Sequence, residues 1–231
     1  SDNLRAFCDM VIVDGTLRLP LAAHYAVLRT ALEASVTARW VLEPDLQRDR
    51  VKRALQARMS ELKWDRELHT EMVNSIQLYG TPTVDILEKA EAQQAKMVEK
   101  YETAIRGIAE TMRIPWGDVA SGMPGMINIL RKTANAGEVP GTYSASVWRI
   151  MSGLAHPSAS RGTRYADVEV VSESVDGILN ARISASLNWT TQSVLVALNN
   201  FVTATELRRR RMLKPFAPDA HENQRGGTRN R

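Results

Sequence analysis

From Pro44 to Met112 apolar residues recur every three or four positions, broken only around Gly80-Thr81-Pro82, and this pattern constrains the fold more than any other feature. In the first stretch Val51, Leu55, Met59 and Leu62 follow one another at steps of four, four and three, and Leu68, Met72 and Ile76 are expected to continue that face to about residue 78. In the second, residues 83–112, Val98, Tyr101, Ile105, Ile108 and Met112 alternate at three and four opposite a face bearing Glu88, Glu91, Lys96 and Glu99. Such charges are expected to sit on a solvated face. Thr81 suits an N-cap, and Pro82 suits a first helical turn, where its missing N–H costs nothing. Two long amphipathic helices joined by so short a turn pair antiparallel.

Residues 20–42 predict a helix that opens on Pro20 and is apolar nearly all the way round, which implies a central position in a bundle. His24, Arg29, Glu33 and Arg39 interrupt that apolar run, so it is expected to be a buried helix, with no membrane partner. Residues 113–123 read as a loop with Ile114, Pro115 and Trp116 packed down. Further helices are expected over about 124–136, stopped by Gly137, and 142–155, stopped by Pro157. A last one covers about 186–212, through Val194, Leu198, Phe201 and Val202. Between 165 and 184 the period changes to two at Asp167, Val168, Glu169 and Val170, and Asp176-Gly177 is a tight-turn signal. The fold class expected is mainly all-α, an antiparallel bundle of about six helices with a small β-hairpin insertion near 165–184. Residues 1–212 form a single helical domain in this reading, and 213–231 form a disordered basic tail.

With 44% hydrophobic and 24% charged residues, the 231-residue chain has the composition of a globular protein able to bury a core. Cys8 is the only cysteine, so no internal disulfide forms and a reducing, cytoplasmic setting is expected, with Cys8 an inert thiol on a short apolar helix. No signal-peptide pattern is visible, and a start at Ser1 is expected of a processed chain or a piece of a longer one. The net charge of +4 is concentrated at one end: after Thr205, eight basic residues face three acidic ones, which leaves the body near neutral. The run Arg208, Arg209, Arg210 and Arg211 suits RNA phosphates or an acidic partner, and equally a solvated helix C-terminus, where cations favour the dipole.

No Cys/His cluster with zinc spacing, phosphate-cradling glycine loop or nucleophile elbow is present, so no metal or cofactor is expected. His69, four residues after Asp65, is half of a carboxylate–histidine pair without a second half. The segment Arg149-Ile-Met-Ser-Gly-Leu-Ala-His156 is different. Seven helical steps rotate by about 700°, returning to within roughly 20° of the starting face at an offset of about 10 Å. Ser152 lies on the same side, so a guanidinium, a hydroxyl and an imidazole are expected in line, with His156 at a helix C-terminus ahead of Pro157.

An arginine separated by six residues from a histidine, late in a helical domain, resembles the signature of the HEPN superfamily. The stretch Tyr143 to Pro157, with Leu28-Arg29-Thr30-Ala31-Leu32-Glu33 and Trp40, is similar to a group of bacterial helical proteins related to it, over about residues 20–205. The resemblance implies a compact helical bundle, a homodimer, and in active members a metal-independent endoribonuclease of toxin or phage-defence type, with RNA as substrate and an antitoxin-like protein partner. Where active members carry a polar residue after the arginine, this chain has Ile150. By that resemblance Arg149 binds phosphate, His156 transfers the proton and Ser152 assists, chemistry that suits these side chains. The alternative is a non-catalytic helical interaction or dimerisation module, in which Arg149 pairs with Glu33 or another acid and His156 caps its helix. For Glu33 itself, Arg29 four residues earlier on the same face is the expected salt-bridge partner.

Overall fold

The computed structural model describes residues 2–79, 84–133, 139–155, 159–175 and 178–213. The chain is mainly helical, with nine helices among these residues and a two-stranded antiparallel hairpin where the period of two predicts one. The elements are α1 (Asp2–Val11), β1 (Ile12–Val13), β2 (Thr16–Leu17), α2 (Ala23–Leu42), α3 (Gln47–Tyr79), α4 (Val84–Thr111) and α5 (Trp116–Ala120). They continue with α6 (Met126–Lys132), α7 (Gly141–Ala155), α8 (Ala159–Tyr165), β3 (Asp167–Val175), β4 (Ile178–Ser184) and α9 (Leu187–Leu213). Among the described residues no helix is long and apolar enough to cross a membrane. The six expected main helices are all present, α1 is the short helix expected around Cys8, and α5 and α8 are short additions. The 134–138 stop, His156, Pro157, the Asp176-Gly177 turn and the basic tail from residue 214 lie outside the described residues.

The described residues divide into two compact units, 43–124 in one and 2–42 with 125–213 in the other. In the first, α3 and α4 run antiparallel: Arg48 near the start of α3 donates to the Met112 and Arg113 carbonyls beyond the end of α4, and Arg66 meets Glu102 at 2.8 Å. Arg113 takes a positive φ of 53°, and the Ile114 N–H bonds back to the Ala109 carbonyl at 2.8 Å, the pattern of a helix C-terminus closed by a left-handed residue. Ile114 is thereby driven into a core with Leu55, Met59, Leu62, Ile105, Ala109 and Val119, and Trp116 packs against it from within α5, where a loop was expected.

The expected continuation through Leu68, Met72 and Ile76 fails, since all three are exposed and Val73 is buried instead. The reason is helical phase. At about 100° per residue 55, 59, 62 and 73 stay within about 60° of one another, whereas the six steps from Leu62 turn Leu68 about 120° away, and Met72 and Ile76 come only part of the way back. In α4 Val98, Ile105 and Ala109 are buried, while Tyr101 and Ile108 lie on an exposed flank.

In the other unit α2 is central, packing against α1, α6, α7 and α9. Its buried side chains include Leu28, Leu32, Val36 and Trp40, and also His24 and Arg39, which the apolar run accommodates inside rather than at its edge. Asp14 and Gly15 both adopt positive φ (52° and 72°) between strands paired Val13 to Thr16, a two-residue turn that only such a pair of residues enters cheaply. β3 and β4 pair from Asp167 opposite Ser184 to Val175 opposite Ile178, with irregular register after Val170.

Candidate nucleic-acid interface on the face of α7

Helix α7 is held against α2 through Trp148. Its indole N–H donates to Glu33 Oε1 at 2.8 Å, and Arg29 Nε donates to the same oxygen at 2.7 Å while its guanidinium lies 5.4 Å from the centre of the Trp148 ring. Glu33 is therefore committed to Arg29, the i,i+4 pair that the sequence predicts, and not to Arg149. Val147, Met151 and Leu154 bury the inner side of the helix. Arg149 is left pointing outward, exposed, with no ion pair or hydrogen bond among the described residues. Ser152 is half-buried, and its Oγ is enclosed without a hydrogen-bond partner among those residues. The two share α7, one presented outward and the other turned partly inward, and His156 falls just beyond the last described residue of the helix.

The four arginines 208–211 occupy the last turns of α9 and meet different fates. Arg209 and Arg210 both hold Glu206, at 3.0 and 2.9 Å. Those hydrogen bonds, Arg209 first, lower the Glu206 carboxyl to about 2. Arg211 donates to the Leu42 carbonyl at 3.2 Å, satisfying an acceptor at the open end of α2. Arg208 is exposed at the rim of a small groove floored by Ala31, Ala34 and Ala38. One acid against four arginines leaves this helix end strongly positive.

Sequence reasoning did not anticipate the polar network between α2 and α9. His24 Nε2 lies 2.9 Å from Thr190 Oγ1, and Tyr25 Oη lies 3.3 Å from the same hydroxyl, which itself donates to the Ser186 carbonyl at 2.9 Å. Burial pushes the His24 imidazole below its ordinary value against the Pro20 carbonyl, which favours the cation. Burial likewise raises the Tyr25 phenol. The one signal was His24 in the midst of an apolar run. In the other unit, His69 lines an open groove of about 800 Å³ between α3 and α4 with Arg66, Thr70, Asn74 and Gln94. Asp65 and His69 do not form a pair there, and no three potential metal ligands come together among the described residues.

Cys8 is exposed on α1, whose inner face is made by Phe7 and Val11. Compared with protein-family models, curated proteins and solved structures, the chain matches none.

Proposed function

We propose that the outward face of α7 is an RNA-directed site in which Arg149 binds phosphate and His156 moves the proton. A single observation carries the reading: Arg149 is exposed and without a counter-ion among the described residues, while Glu33, the partner the alternative reading offers it, is held by Arg29 and Trp148. An uncompensated guanidinium on a well-anchored helix is pre-organised for a bidentate anion, and the positive end of α9 adds long-range attraction for a polyanion.

The chemistry follows from the side chains. The His156 imidazole takes the proton of a ribose 2′-hydroxyl, and the oxygen forms a bond to the adjacent phosphorus. The bond from phosphorus to the 5′ oxygen then breaks, leaving a cyclic phosphate. The departing oxygen takes its proton from water or from a second copy's imidazole. Arg149 neutralises the charge that grows on the phosphoryl oxygens. DNA lacks the attacking hydroxyl and is not cut. Ser152, enclosed as it is, acts as a support for the helix face rather than as a proton carrier. The test incubates the purified chain with a panel of RNAs in chelator. Expected are cleavage to cyclic-phosphate ends and its loss in both His156→Ala and Arg149→Ala. RNAs left intact by the parent chain, or cut equally by His156→Ala, sink the reading.

A second reading, a non-catalytic interaction module, is favoured by Leu195, Leu198 and Val202, exposed at steps of three and four on α9 away from its buried Val196, Ala197 and Asn200. It takes over if RNA is bound but never cut, and binding survives Arg149→Ala.

A further inference from the structure

The outer part of the α3–α4 hairpin is only two helices thick, and its two sides differ in character. One side is the open groove, walled by Arg66, Thr70, Glu99, Thr103 and Arg106. On α4, Ile86, Met97, Tyr101 and Ile108 fall within about 60° of one another at 100° per residue, roughly 170° from Glu99, Thr103 and Arg106. On α3, Leu68, Met72 and Ile76 lie similarly opposite Arg66, Thr70 and Asn74. Because the helices are antiparallel, both stripes fall on the same side of the layer, and Arg58 of α3, 4.9 Å from the centre of the Tyr101 ring, lies there too. These seven large apolar side chains are each between 37% and 58% exposed.

We infer that this apolar side pairs with the same side of a second copy, giving a two-fold, four-helix assembly. Two features select that occupant. The α4 stripe is continued by Ala90, Gln93 and Ala104, none charged, and the charges on the α3 side, Arg58, Glu61 and Asp65, are of both signs, with Arg58 and Glu61 paired at 2.6 Å. The face therefore does not select a strongly acidic or basic partner; its complement is another largely apolar helical layer. The open surface also has the right size. Seven large side chains about half exposed carry on the order of 600 Å² per copy, and with the intervening small residues this approaches the roughly 800 Å² per partner of specific interfaces. Small residues at Ala90, Ala104 and Gly107 let the helices approach closely. The inference is independent of the RNA reading, which concerns α7.

The full chain is weighed in solution by light scattering after gel filtration, at about 100 µM and below. Expected is an assembly whose mass halves in Met72→Glu/Met97→Glu, with association weakened at least about tenfold, and stays intact in Thr103→Glu, equally polar but on the groove side. Circular dichroism equal to the parent's separates lost pairing from lost folding. If the double variant fails to fold, Ala104→Lys, a single change at an exposed helical position, serves in its place. A monomeric parent chain, or an assembly of unchanged mass in either seam variant, overturns the inference. So does a monomer that instead co-sediments with phosphatidylcholine vesicles, which would assign the face to a lipid surface.

Discussion

Trp148 donates its indole N–H to Glu33 Oε1 at 2.8 Å, joining α7 to α2 across 115 positions of the chain. The oxygen is shared with Arg29, so one carboxylate fixes both the rotation of α7 and the position of a guanidinium over the indole. The outward presentation of Arg149, the next residue on α7, depends on that anchor.

Glu33→Ala removes the acceptor from two donors at once, leaving a half-buried indole N–H unpaired and Arg29 without its counter-ion. Hydrogen bonds to a charged group contribute about 1.5–3 kcal/mol, and the pair is partly solvated, so a loss of about 2 kcal/mol is expected in denaturant unfolding. Arg149→Ala, at an exposed position, shifts stability by less than about 0.5 kcal/mol. Equal losses for the two variants would show that Glu33 is not an anchor.

Much of this was legible in the sequence, and the misses have physical causes. Helix positions, the 167–184 hairpin and the Arg29–Glu33 pair follow from period and spacing, which are local properties. The burial of Leu68, Met72 and Ile76 was misjudged because apolar type alone does not report phase along a 33-residue helix. The Asp14-Gly15 turn carried the same dipeptide signal as Asp176-Gly177, but the strands beside it are two residues long and show no period. Arg39, almost wholly buried with Nη1 3.4 Å from Asn200 Oδ1, is a partnership between helices 161 positions apart, and nothing local announces it. For the site, α7 was readable; whether Arg149 faces outward or pairs inside, and the inward turn of Ser152, depend on how α7 is seated, which spacing along the helix does not fix.

The arginines at the end of α9 yield a prediction about competition. Arg209 and Arg210 are held by Glu206, whose carboxyl stands at about 2 and is therefore ionised throughout the physiological range. Under the proposed RNA-directed function, phosphates compete with Glu206 for those two guanidinium groups. Glu206→Gln releases them, so RNA binding should tighten by about three- to tenfold at low salt, with a steeper fall of affinity as salt rises. The slope of log affinity against log salt, measured by fluorescence anisotropy, checks this. An unchanged slope would place the α9 arginines outside any RNA contact.

Gly122 is the clearest backbone constraint. Its φ of 76° lies in the left-handed region, and a Cβ there would come within 2.8 Å of Ser60 Oγ. That hydroxyl accepts the Met123 N–H at 2.7 Å, so it cannot move aside without breaking a bond. Gly122→Ala should cost about 1–3 kcal/mol, combining the backbone penalty with the disturbed hydrogen bond. In the Ser60→Gly background the contact is gone and only the backbone part remains, so the two changes should be less than additive in thermal unfolding. Strict additivity would mean the close approach to Ser60 carries no energy.

The α2–α9 network predicts a pH dependence. Thr190 Oγ1 donates its own proton to the Ser186 carbonyl, which leaves the 2.9 Å contact with His24 Nε2 to be donated by the imidazole. Burial is the larger influence and holds its folded pKa below the ordinary 6.5; the Pro20 carbonyl opposes it without prevailing. The unfolded chain therefore binds a proton first as pH falls. Stability from this residue is fully present above about pH 6.5 and is lost progressively below it, levelling only once the folded imidazole also charges. The slope contributed is at most about 1.4 kcal/mol per pH unit. His24→Gln keeps a donor for Thr190 but cannot titrate. Its unfolding free energy should be lower than the parent's at pH 7.5, from imperfect packing, yet fall less steeply between pH 6.5 and 5. Parallel curves for the two proteins would assign the acid sensitivity to other groups and leave His24 as a packing residue alone.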